Sequence, residues 1–158
     1  MTDRVFIGFG SNLGDRLHQL TEAQERLGLR VRKRSAIYET EPVDFLDQPW
    51  FLNCVLEVVS DSRPEELLAA CQHVEAEMGR VRNQPKGPRV IDLDILLIGD
   101  RIVNLPQLIV PHPALPDRRF VLEPLAEIAA DMPHPVLHKT IAELLAACPD
   151  KSAVRKLS

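Results

Sequence analysis

The chain predicts an α+β fold: an antiparallel sheet with helices on one face, built on a ferredoxin-like split βαβ core and wrapped by a proline-rich C-terminal third. Three observations carry this expectation. Apolar patterns of strand and helix period follow one another as strand, helix, strand, strand, helix, strand up to Gly99. The strand-like runs are rich in β-branched residues and bounded by glycine or proline. Seven of the thirteen prolines then fall between Pro106 and Pro135, which leaves room only for loops and short helices.

With 158 residues, the chain reads as a single domain, 1–158, able to bury a core. Hydrophobic residues at 45% and charged residues at 27% are ordinary for a globular chain. A net charge of −4 argues against bulk nucleic-acid binding. No run is long and apolar enough to span a membrane, and the opening M-T-D-R-V-F-I-G lacks signal-peptide anatomy. Cys54, Cys71 and Cys148 are odd in number and widely spaced, which suits reduced thiols in a cytoplasmic protein.

Taken in order, Val5–Gly10 is the first strand. The following G-F-G-S-N-L-G-D is neither a dinucleotide fingerprint nor a P-loop, and reads as a tight strand-to-helix turn capped by Ser11, Asn12 or Asp15. Leu17, Leu20, Ala23 or Gln24, and Leu27 form the buried stripe of a helix over 15–29. Val31–Thr40 is a strand, and Thr40–Trp50, with two prolines and three acids, a long loop. Phe51–Val59 is a strong strand that puts Phe51, Asn53, Val55 and Glu57 on one face. Asn53 beside an aromatic suits the edge of a planar heterocycle, or simply bonds neighbouring backbone. A second helix starts at Ser62-Arg63-Pro64-Glu65 with Ser62 as cap, buries Leu67, Cys71, Val74 and Met78, and ends at Gly79. Gln72 and Glu75 share another of its faces, the usual pattern of a solvated pair. Beyond Gly99 a short hairpin arm is expected, then a helix over 140–148 and a frayed tail.

The most informative stretch is Arg80–Gly99. Its first half carries Arg80, Arg82, Lys86 and Arg89 in a proline-broken loop without an acid. Its second half is an apolar strand interrupted only by Asp92 and Asp94, which leave on one face while Ile91, Leu93, Ile95 and Leu97 point to the other. Paired carboxylates need a positive partner. Mg²⁺ suits them, since it takes hard oxygen ligands and keeps positions for substrate phosphates. Arginines nearby suit phosphate oxygens, so phosphoryl-type transfer is one reading. An ion-pair network with Arg80 or Arg89 is the other.

These segments together resemble the 6-hydroxymethyl-7,8-dihydropterin pyrophosphokinase family of folate biosynthesis. The matches are G-S-N-L-G-D (10–15), Y-E-T-E-P (38–42), D-Q-P-W-F-L-N (47–53), G-R-V-R (79–82), G-P-R-V-I-D-L-D-I-L (87–96) and V-P-H-P…R-R-F-V-L-E-P-L (110–125). The resemblance implies an ATP-dependent diphosphotransferase that moves the diphosphate of ATP onto the pterin hydroxymethyl group and releases AMP. It implies that Asp92 and Asp94 hold two Mg²⁺ ions and that Arg80, Arg89 and Arg82 contact phosphates. It places Gln72 and Glu75 near the nucleotide, and His112 and Arg118 on phosphates. Phe51 and Phe120 would sandwich the pterin, and Asn53 would read its amide edge with backbone near Thr40 and Val43. ATP and 6-hydroxymethyl-7,8-dihydropterin are then the partners of a cytoplasmic monomer that binds neither nucleic acid nor membrane.

The resemblance also has departures. The loop N-Q-P-K (83–86) is one residue shorter than in familiar relatives, with Lys86 where an aromatic often stands and Pro85 where a basic residue is usual. Gln107 and Ile109 replace more polar nucleotide contacts. Two other readings fit the paired carboxylates: a nucleotidyltransferase on a ferredoxin-like palm, which would release pyrophosphate, and a non-catalytic nucleotide-sensing module.

Overall fold

The computed structural model describes residues 3–42, 47–79 and 90–157. Asp3–Ser11 (β1) leads into Arg16–Leu27 (α1), then Arg30–Arg34 (β2), Tyr38–Thr40 (β3), Phe51–Ser60 (β4) and Pro64–Glu77 (α2). Asp92–Ile98 (β5) is followed by the hairpin Val103–Leu105 (β6) and Leu108–Val110 (β7), a 3₁₀ turn at Leu115–Asp117, Arg119–Ala129 (α3), Ile141–Ala146 (α4) and Val154–Lys156 (β8). The main sheet runs β5-β1-β4-β3-β8, with β2 also on β4, and its pairings are antiparallel. Among the described residues no helix is long and apolar enough to cross a membrane.

The helices do not keep to one face, as the sequence had suggested. Val5, Ile7 and Phe9 of β1 and Cys54, Leu56 and Val58 of β4 pack against Leu20 and Ala23 of α1 and Leu67, Cys71 and Val74 of α2. Phe6, Val55 and Leu96 leave on the opposite face, where Leu122 and Leu125 of α3 and Ile141 and Leu144 of α4 cover them. Period-2 alternation with apolar residues at both phases is the mark of a sheet buried on both sides. The covering helices come from the proline-rich third, where Pro124 sits inside α3.

Local departures have local causes. Val31–Thr40 is two strands, because Ser35 breaks the run: its hydroxyl accepts from the Val55 N–H at 2.9 Å, and its own N–H donates to the Val55 carbonyl. Leu17 is 55% exposed, so only Leu20 and Ala23 of the proposed stripe are buried on α1. Asp15, not Ser11 or Asn12, caps α1, accepting from the His18 N–H. Arg63, not Ser62, precedes the first turn of α2, and the Glu66 carboxylate accepts its N–H at 3.0 Å. Gly79 ends that helix at φ 83°, a value only glycine adopts freely.

Leu97 leaves the face of Ile91, Leu93 and Ile95. Against β1, Phe6 pairs with Leu97 and Ile7 with Ile95, so Leu96 is an extra residue, and the bulge resets the alternation. The tail is not frayed: β8 pairs with β3, Tyr38 opposite Lys156 and Thr40 opposite Val154. An exposed edge of unpaired backbone groups is an open template, and the tail fills it.

Candidate active site

The site grows from the register of three neighbouring strands. Asp92 pairs with Gly10 of β1, and Asp94 with Gly8. Gly10 pairs in turn with Asn53 of β4, and Gly8 with Val55. Residues paired across a sheet share a face. The two aspartates therefore look across a floor of bare glycine backbone towards Asn53 and Val55. Phe120 and Val121 of α3 and Leu96 close a pocket over that floor.

Glycine is required at the floor for a measurable reason. A Cβ on Gly10 would stand 2.5 Å from Asn53 Oδ1 and 3.7 Å from Phe51 Cδ1. A Cβ on Gly8 would meet nothing nearer than Leu96 at 3.6 Å. Asn53 is 7% exposed, and its Nδ2 donates to the buried Thr40 hydroxyl at 2.5 Å. The Thr40 bond orients the amide, with its oxygen over Gly10. Phe51 is half-buried at the start of β4, on the same face.

A second, larger cavity lies on the other side of β5. The β6–β7 hairpin supplies Pro106, Gln107, Leu108 and Ile109, α2 supplies Leu68, and His112 and Pro113 follow the hairpin. Asp94 lines both this cavity and the glycine-floored pocket. His112 is held by its backbone N–H, which donates to the Leu96 carbonyl at 3.0 Å. Its Nδ1 accepts from the Ala114 N–H at 3.2 Å, so the ring proton belongs on Nε2, 3.9 Å from Asp94 Oδ1. Burial, then the Arg118 charge, lower the His112 pKa, against an opposing pull from Asp92. A neutral imidazole with an N–H beside Asp94 can donate to a phosphate oxygen. Arg118 stacks its guanidinium 5.6 Å from the Phe120 ring centre, at the start of α3.

Glu75 is not a solvated partner of Gln72. It is 2% exposed, and its Oε2 accepts the Leu93 N–H at 2.9 Å. Leu93 sits between the two aspartates on the sheet edge, so Glu75 fixes the backbone that aims them. Gln72 is exposed on α2 and lines neither pocket. Arg80, Arg82, Arg89 and Val43 lie outside the described residues, as do Pro85 and Lys86.

The sequence reading did not identify the glycine floor, although two glycines two apart in a strand leave one stretch of its face without side chains. Asn12 was also read differently, as a cap. It donates to Gln48 Oε1 at 2.8 Å and to the Pro49 carbonyl at 2.9 Å, tying the segment before β4 to the β1–α1 turn.

The donor set suits Mg²⁺. Two half-exposed carboxylates share one face above bare backbone, and among the described residues no group of three or more His, Cys, Asp or Glu forms a metal cage. Mg²⁺ is typically held by one or two carboxylates with phosphates completing the shell, whereas a closed cage would suit zinc or calcium. A thiol nucleophile is disfavoured: burial pushes Cys54 and Cys71 up to about 12.

Comparison with known proteins identifies the family and the fold. The sequence profile of the 7,8-dihydro-6-hydroxymethylpterin-pyrophosphokinase (HPPK) family matches residues 6–130. A 2-amino-4-hydroxy-6-hydroxymethyldihydropteridine pyrophosphokinase of Methylorubrum extorquens is 41% identical over 158 residues, covering 98% of each chain. The protein of that name in Bacillus subtilis is 46% identical over 132 residues, covering 81% of this chain and 79% of its own. The folic acid synthesis protein fol1 of Pneumocystis carinii is 46% identical over 143 residues, and the aligned part spans 89% of this chain but only 19% of that protein. Among solved structures, wild-type HPPK-DHPS of Plasmodium falciparum with pteroate superposes with a TM-score of 0.72 at 16% identity, over 93% of this chain and 42% of that one. With a profile match across most of its length and full-length relatives above 40% identity, the chain belongs to the 7,8-dihydro-6-hydroxymethylpterin-pyrophosphokinase family.

Proposed function

We propose that the chain transfers the diphosphate of ATP to the hydroxymethyl group of 6-hydroxymethyl-7,8-dihydropterin, releasing AMP, as one step of folate synthesis. The observation that carries this reading is Asp94, which lines two adjoining pockets of different character. The glycine-floored pocket offers an aromatic edge and the oriented amide that a pterin needs, with Asn53, held by Thr40, and Phe120 both lining it. The larger cavity, with His112 at its rim, takes the nucleotide. Arg118, Arg82, Arg80 and Arg89 are assigned to the phosphates, and Phe51, with backbone near Val43, to the pterin.

In the reaction, the pterin hydroxyl oxygen bonds to the β-phosphorus while the bond from that phosphorus to the α,β-bridging oxygen breaks; AMP leaves with that oxygen, and the hydroxyl proton is released to solvent. Asp92 and Asp94 would hold two Mg²⁺ ions, whose charge would offset that of the phosphates and lower the pKa of the hydroxyl. The protein's own work is alignment. Asn53 and Phe120 fix the pterin plane, Glu75 fixes β5, and His112 donates its Nε2 proton to a phosphate oxygen. Sequestering the pair of substrates keeps water from competing as the nucleophile. We read the β1–α1–β2/β3–β4–α2–β5 run as the ferredoxin-like core that brings the two pockets to one sheet edge. The chain works as a cytoplasmic monomer in this reading.

A nucleotidyltransferase would leave Asn53 and the glycine floor without a role. The test is purified protein with Mg²⁺ and ATP, with and without the pterin, and the nucleotides separated by chromatography. AMP that forms only with pterin present is expected, lost in Asp94→Ala with an unchanged melting curve. Pyrophosphate release, ADP, or full activity in Asp94→Ala would overturn the reading.

A further inference from the structure

We infer that the C-terminal tail, through Asp150, is a positioning clasp that holds the two walls of the pterin pocket at a fixed separation; this rests on the function proposed above. The tail lies outside residues 6–130, the part matched by the family profile. It nevertheless touches α3, which carries Phe120, and β3, which orients Asn53.

One wall begins at the N-terminus of α3, which carries Phe120. That terminus lacks its own cap: Arg118 makes no side-chain capping bond. Pro124, inside the helix, has no N–H to close onto the Phe120 carbonyl four residues back. The first turn is therefore short of hydrogen bonds at both ends, and the tail makes up part of the deficit. Asp150 Oδ2 accepts the Arg119 N–H at 3.1 Å, and Arg119 Nη1 donates to the Ser152 carbonyl at 3.4 Å. Asp150 acts as an N-cap supplied from 31 residues away, with its carboxylate at the positive end of the helix. Its other oxygen accepts the Ser152 N–H at 2.9 Å, which fixes the carboxylate itself.

The opposite wall carries Asn53 of β4, which is oriented by Thr40 of the neighbouring β3. Immediately after Ser152 the tail locks onto this strand. The Ala153 N–H donates to Glu41 Oε1 at 2.9 Å, the Glu41 N–H donates to the Ala153 carbonyl at 3.0 Å, and Val154 pairs with Thr40. Arg155 then pairs with Glu39. Four residues, Asp150 to Ala153, thus bridge the element bearing Phe120 and the strand that aims Asn53. A ring held between Phe120 and Asn53 senses a change in their spacing directly, whereas no residue of α3 or β3 lines the nucleotide cavity.

The test compares Asp150→Ala, Asp150→Asn and a chain ending at Pro149, each measured for the KM of pterin, the KM of ATP and kcat. Asn accepts a helix N–H as well as Asp does, so it is the rescuing replacement. We expect Asp150→Ala to raise the pterin KM about tenfold with a smaller rise in the ATP KM, felt through Arg118 at the start of α3, Asp150→Asn to stay within about twofold of the parent, and the shortened chain to exceed Asp150→Ala, since loosely held site groups lose alignment first. A pterin KM that moves less than about twofold in Asp150→Ala, or an equal rise in both KM values, would overturn the clasp. If the shortened chain fails to fold, the point variants still decide. Failure of the parent chain to form AMP with pterin would instead overturn the function itself, so the two failures are distinguishable.

Discussion

Alanine at Gly10 is the sharpest perturbation of the pocket. Its Cβ would lie 2.5 Å from Asn53 Oδ1, against an ordinary non-bonded separation of about 3.5 Å, so one of the two must yield by about 1 Å. Strand backbone paired on both sides, to Asn53 and to Asp92, gives little. The amide must turn, and its hydrogen bond to Thr40 goes with it. Overpacking of this kind costs about 1–3 kcal/mol, which for a chain of this size lowers Tm by about 2–4 °C per kcal/mol. The assay is a double-mutant cycle by denaturant unfolding of the parent, Gly10→Ala, Asn53→Ala and the double variant. Removing the Asn53 amide removes the clash, so the cost of Gly10→Ala should fall to within about 0.5 kcal/mol in the Asn53→Ala background. Additive costs would refute the close approach as the reason for glycine. In turnover, Gly10→Ala should raise the pterin KM by up to about a hundredfold while leaving that of ATP in place, because an angstrom of misplacement at a reading group is worth that much.

Two further predictions concern groups behind the site. Glu75→Leu leaves the Leu93 N–H buried without its acceptor; we expect a loss of about 1–3 kcal/mol and a ten- to hundredfold higher Mg²⁺ requirement, with Glu75→Gln milder in both, measured by unfolding and by Mg²⁺ titration of activity. Equal behaviour of the two variants would contradict the role given to the carboxylate. His134 accepts the Val136 and Leu137 N–H groups through Nδ1, and burial, then the neighbouring His138, hold its pKa below the ordinary value. The unfolded chain therefore binds the proton first, so stability is full above about pH 6.5 and falls as pH drops below it. Thermal melts at about pH 7.5 and about pH 5.5 should show a smaller acid loss in His134→Asn, whose amide oxygen keeps the acceptor; an unchanged loss would exclude His134 as its source.

Much of the site was legible because strand geometry is regular. Spacing alone puts Asp92 and Asp94 on one face, and Phe51 and Asn53 on one face, and the structure has both pairs facing the same pocket side. What period-2 reasoning cannot supply is register between strands. The alignment of Gly8 and Gly10 with the aspartates, and the bulge at Leu96 that turns Leu97 over, depend on pairing between segments more than 80 residues apart. Buried polar contacts fail for a related reason. Glu75 looks like any helical glutamate until Leu93 is brought to it by tertiary packing. The tail was misread because its composition is that of a frayed end; only the open edge of β3 makes a strand of it. On the second face the helix expected over 140–148 is α4, but α3 was missed because the prolines around it suggested loops, yet Pro124 is accommodated inside it.

The most direct test of the account follows the phosphorus atoms themselves. ATP labelled at the β-phosphate and, separately, at the γ-phosphate is incubated with Mg²⁺, the pterin and the protein, and the products are resolved. The account predicts that both labels leave with the pterin and that AMP carries neither. Transfer of the γ label alone, or a β label that ends in free pyrophosphate, would contradict it.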